Sequence, residues 1–111
     1  MTNEIKNHVQ SIADNLTNPP WAEWNEGRDI DSEGEFSAFD YLQDALDIEY
    51  IVNSKGEYLG ARVLVAFGGP NIWVNTRTNT VEGYWWSDKA EAHFIDSMDL
   101  NGALEELWNC R

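Results

Sequence analysis

Apolar residues Ile5, Val9, Ile12, Ala13 and Leu16 recur at helical spacing in an otherwise polar stretch, and Asn18-Pro19-Pro20 ends the run. The spacing predicts an amphipathic helix, with Thr2 or Asn3 as its N-cap. From Trp21 to Glu35 the periodicity lapses among Gly27, Gly34 and clustered acids, which reads as a long loop or one short helical turn after the prolines. Ser37 then stands three residues before Asp40, the spacing of a capping box, and Phe39, Leu42, Ala45 and Leu46 form an apolar stripe. A second, short helix is expected from about Ala38.

The segment Leu46 to Trp86 is rich in β-branched and aromatic residues and is broken by turn signals at Asn53 to Gly56, Gly68-Gly69-Pro70 and Arg77 to Thr80. It predicts a four-stranded antiparallel meander. Leu100, Ala103, Leu104, Leu107 and Trp108 return to helical spacing, with Asp96, Ser97 or Asp99 available as caps. The expected architecture is a single α+β domain over residues 1–111, with two N-terminal helices and one C-terminal helix packed on one face of the sheet.

Alternation then sorts the strand residues into faces. Ile72, Val74, Val81 and Trp85 fall on one face, which reads as core. Trp73, Asn75, Glu82, Tyr84 and Trp86 fall on the other, joined by Tyr58 and Arg62. Large rings mixed with polar groups are typical of binding hot spots, because Trp, Tyr and Arg bury much area and keep a polar handle. The bland alternative is that the segment Pro19 to Trp24 folds over this face, stacking Trp21 and Trp24 on Trp73 and Trp86.

Charge narrows the class of partner. Twenty acids against seven bases give a formal net charge of −13. Such a field repels nucleic acid and anionic membranes and attracts basic surfaces, so a basic protein partner is expected and direct nucleic-acid or membrane binding is not. Cys110 is the only cysteine, so no internal disulfide forms, and no apolar run approaches the ~20 residues of a membrane span. A cytoplasmic location is the expectation.

Ten acids lie between Glu23 and Glu49, among them Asp29, Asp31, Glu33, Glu35, Asp40, Asp44, Asp47 and Glu49, against the single base Arg28. Three readings compete. An extended chain would set Asp29, Asp31, Glu33 and Glu35 about 6–7 Å apart, with Asp40, Asp44 and Asp47 continuing the row along the next helix, a spacing that imitates a phosphate backbone. Residues 29–40 also resemble an EF-hand loop, with Asp29, Asp31, Glu33, Gly34, Phe36, Ser37 and Asp40 at its characteristic positions. The third and last ligand positions depart from the usual Asp or Asn and Glu, and no second loop pairs with it. The third reading is a solubilising loop in which Ser37 and Asp40 only cap a helix.

Catalytic chemistry finds no foothold. There is no phosphate-binding glycine loop, no zinc-type Cys or His spacing, and no nucleophile for His93 to activate. No cofactor is expected, and a non-enzyme is. In size and acidity the chain resembles the small inhibitors with which phages and mobile elements disarm host nucleases, the anti-CRISPR and anti-restriction proteins. The resemblance carries no motif and no functional residue, and implies a cytoplasmic protein that occupies the nucleic-acid channel of a nuclease or effector. An immunity protein or antitoxin for a basic toxin, and a calcium module, are the alternatives.

Overall fold

The computed structural model describes residues 3–111, so the expected Thr2 cap lies outside the described residues. Helix α1 (Asn3–Thr17) lays Ile5, Val9, Ala13 and Leu16 against the sheet, each at most 2% exposed. Two helical turns follow the prolines, α2 (Trp21–Trp24) and α3 (Ile30–Glu33), and then α4 (Ala38–Gln43), so that among the described residues four helices precede the sheet where two were expected. The expected capping box is present: Asp40 N–H donates to Ser37 Oγ and Ser37 N–H donates to Asp40 Oδ2 at 2.8 Å. The stripe α4 buries differs from the expected one. Ala38 and Leu42 are buried, with Tyr41 and Ala45 against the core, while Phe39 and Leu46 are exposed. Both stripes obey helical spacing and share Leu42 and Ala45; docking against the final helix selects the one that contains Ala38.

The sheet has five antiparallel strands in the order β1-β2-β3-β4-β5, one more than expected. They are β1 (Asp47–Val52), β2 (Tyr58–Ala66), β3 (Asn71–Asn75), β4 (Thr80–Trp85) and β5 (Asp88–His93). The extra strand has the sequence DKAEAH, whose charges and alanines carry little β-propensity. It exists because Val81 and Gly83 pair with Ala92 and Ala90, whose small side chains pass under α1. The three expected turns are in place. In the first, Asn53 Oδ1 accepts from the N–H groups of Lys55 and Glu57 and Gly56 takes φ +80°. In the third, Asn75 Oδ1 accepts from the N–H groups of Arg77 and Thr78. In each an asparagine side chain accepts from the turn's own N–H groups, and in the first it does so beside the backbone bond from Gly56 N–H to the Asn53 carbonyl at 2.9 Å.

Helix α5 (Leu100–Asn109) closes the core with Leu100, Ala103 and Leu104 buried. Two carboxylates serve its free N–H groups: Asp96 accepts from Leu100 and Asn101, and Asp99 accepts from Gly102 at 3.1 Å. All the long helices therefore lie on one side. α1 crosses β4 and β5, and α5 crosses β2 and meets α4, which makes a two-layer α+β fold. The core between the layers is built on Ala61, Val63, Ile72, Val74 and Val81, and each fully buried aliphatic contributes about 1.5–3 kcal/mol of transfer free energy. Among the described residues no helix is long and apolar enough to cross a membrane.

Candidate functional site

Register decides which side chains share the face that no helix packs on. Val63 pairs with Val74 and Val74 with Val81, toward the helices; Arg62 pairs with Asn75 and Glu49, and Trp73 with Leu64 and Glu82, on the opposite side. The face division of β3 and β4 stands as expected, with Trp85 half-buried at the core's margin. Tyr58 does not join the open face. A bulge between Ile51 and Val52 turns it toward the helices, where its hydroxyl donates to Asn101 Oδ1 at 2.7 Å.

At the centre of the open face Arg62 lies over the Trp73 ring, 4.3 Å from its centroid, and pairs with Glu49 at 3.3 Å and Glu82 at 3.4 Å. One guanidinium thus serves two carboxylates and one ring, and Asn75 Nδ2 donates to Glu82 as well. The arrangement is a flat, pre-organised patch. Asp47 stands on the same face of β1 as Glu49, two residues away, and Tyr84 is exposed at its far side.

Trp86 is not a strand residue at all. β4 ends at Trp85, which pairs with Asp88, so Trp86 and Ser87 form a two-residue hairpin turn. Trp86 takes φ +58°, stands 92% exposed, and is the most exposed large apolar side chain among the described residues. A hairpin that needs a positive φ at its first turn position ordinarily uses glycine there. In a meander the β2–β3 and β4–β5 turns lie at the same end of the sheet, as does the start of β1. That end therefore carries Leu46, Phe67 and Trp86, at 60%, 72% and 92% exposure. Two strand spacings, about 10 Å, separate the Phe67 and Trp86 turns.

The acidic segment does not form the expected rows. Residues 30–33 make a helical turn, so Asp29, Asp31, Glu33 and Glu35 are not strung along one extended edge. Asp29 accepts from Asp31 N–H at 3.2 Å and Glu33 from Asp29 N–H at 2.8 Å. α4 ends at Gln43, which leaves Asp44 at its C-cap and Asp47 on β1, out of line with Asp40. Nor do these carboxylates converge as calcium ligands: among the described residues no three acids, histidines or cysteines are placed to hold one ion. Arg28 occupies the ground between them instead, donating to the carbonyls of Gly34 and Glu33 and lying 3.6 Å from Asp40. The Ser37 hydrogen bonds, aided by Arg28, hold the Asp40 carboxyl below the usual carboxylate range.

Trp21 and Trp24 do not roof the open face. Trp24 packs on Phe36 at 4.9 Å and Tyr41 at 6.0 Å between ring centroids, and Trp21 meets its edge at 5.9 Å. Trp24, Phe36 and Tyr41 border a cleft of about 370 Å³, whose lining is completed by Ile12, Ala45, Val65 and Asp44. Burial pushes the Tyr41 hydroxyl up to about 12. Neither this cleft nor the Leu46–Phe67–Trp86 end was anticipated from sequence. Phe67 before Gly68-Gly69-Pro70 was the available signal, an unpaired ring at a turn.

No family model matches the chain, and no curated protein or solved structure is significantly similar to it.

Proposed function

We propose that the protein is an acidic inhibitor that docks on the basic nucleic-acid-binding surface of a nuclease or defence effector. The observation that carries the reading is Trp86, a nearly fully exposed ring held at φ +58° on a hairpin tip, beside Phe67 and Leu46 at one end of the sheet. A large ring kept in a turn position that suits glycine is a local cost without benefit to the fold, and such costs gather at functional sites. The formal charge of −13 supplies long-range attraction to a basic surface, and the Arg62-centred face with Trp73, Tyr84, Asp47 and Glu49 extends the contact area.

Charge here is complementary in total, not as a phosphate-spaced ladder. Asp29, Asp31, Glu33, Glu35, Asp40 and Asp44 contribute to steering, and the rings to holding.

Affinity capture from bacterial lysate tests the reading, with Trp86→Ala as the paired control. The expected partner is a basic nucleic-acid-processing protein that DNA or RNA displaces and that dissociates faster from the variant. Capture of a basic toxin that is not a nuclease would move the assignment to an immunity protein. Capture untouched by competing nucleic acid and by the Trp86 change would overturn it.

A further inference from the structure

The cleft beside α4 has a composition that selects a ligand class. Three of its walls are the rings of Trp24, Phe36 and Tyr41, inclined to one another at 45° and 46° about Trp24. The remaining polar group is the Asp44 carboxylate, and no lysine or arginine is among the lining residues. Among the described residues Asp44 enters no ion pair; Arg28, the one base within the acidic segment, is engaged by Asp40 and by two backbone carbonyls and lies over the Phe36 ring, 5.9 Å from its centroid. Asp44 also stands at the C-terminal end of α4, where the helix carbonyls already concentrate negative charge, so the carboxylate gains nothing locally. An anion without a partner, sharing a cleft with three rings packed at a tilt, is the chemistry that binds a cation with an apolar coat.

We propose that this cleft is an aromatic cage for an alkylated ammonium group, with Trp24, Phe36 and Tyr41 facing the methyl groups and Asp44 balancing the charge. The volume of about 370 Å³ accommodates a trimethylammonium head with its first carbons. The overall charge of −13 raises the local concentration of any cation and excludes anionic competitors. This proposal does not rest on the inhibitor reading: the rings take no part in the Trp86 end or in the open sheet face, and Asp44 enters that reading only as one of six steering carboxylates.

The test is calorimetric titration of the whole chain with choline and with its uncharged isostere 3,3-dimethylbutan-1-ol. Choline is expected to bind at least about tenfold more tightly than the isostere, the contrast cation–π attraction supports. Asp44→Asn is expected to weaken choline several-fold while leaving thermal stability intact, because the side chain is exposed and unpaired; Trp24→Phe should weaken it less than Trp24→Ala. A parallel series of blocked lysine and blocked trimethyl-lysine separates the sources. Tighter binding of trimethyl-lysine assigns the cage to a modified side chain of a protein, and tighter binding of choline to a free metabolite. Equal binding of choline and its neutral isostere, or no heat with any of the cations in the millimolar range, overturns the proposal.

Discussion

At the scale of single residues, Trp86 and Tyr41 each hold an environment that makes a measurable claim. Left-handed backbone costs a side chain-bearing residue about 1–2 kcal/mol, and a 92% exposed ring recovers almost none of it by packing. Trp86→Gly is therefore expected to raise stability by about 1 kcal/mol in urea denaturation while weakening partner binding. A variant that loses stability would mean that the ring packs within the fold. For Tyr41 the sign follows from its neutral form being favoured in the folded state. Its contribution is fully present below the ordinary value of 10.0 and is lost as pH rises towards about 12. Tyr41→Phe should accordingly flatten the alkaline loss of thermal stability, and ultraviolet titration should show one phenol ionising last. The positions of Trp73 and Tyr84 were legible from alternation alone. The turn at Trp86 was not, because alternation assumes that a strand continues and says nothing of where it stops.

At the scale of elements, the seat of α1 on the sheet depends on the absence of a side chain at Gly83. A methyl there would collide with Val9 Cγ2 and stand 2.8 Å from Ile5 Cδ1. Gly83→Ala is expected to destabilise by about 1–3 kcal/mol as α1 is pushed outward, read by chemical denaturation. Unchanged stability would place α1 elsewhere. The same contact explains β5, whose alanines admit the helix on its other side. Periodicity was enough to reveal α1 and α5, since their apolar stripes are long. It was ambiguous for α4, where six residues offer two overlapping stripes, and blind to α3, whose single turn rests on Asp29 and Glu33 bonding to backbone N–H groups.

At the scale of the whole molecule, a charge of −13 on a two-layer domain leaves one sheet face without a helix and one end of the sheet lined by exposed rings. If the partner surface is basic, association should slow steeply as salt rises, whereas dissociation should depend on Trp86 and hardly on salt. Reversing Asp40, Asp44 and Asp47 to lysine should flatten the salt dependence of association, measured by stopped flow or surface plasmon resonance. A salt-independent rate would remove electrostatic steering from the mechanism. The sequence by itself determined the α+β class, the faces of β3 and the interior of β4, the caps of α4 and α5 and the sign of the field, because each follows from local spacing or from composition. Tertiary structure alone decided where Trp86 points, how the carboxylates of residues 29–47 disperse, and that Trp24, Phe36, Tyr41 and Asp44 share a cleft. The cleft depends on contacts between segments distant along the chain, while the turns at residues 29–33 and at Trp86 are closed by short-range hydrogen bonds that apolar periodicity does not encode.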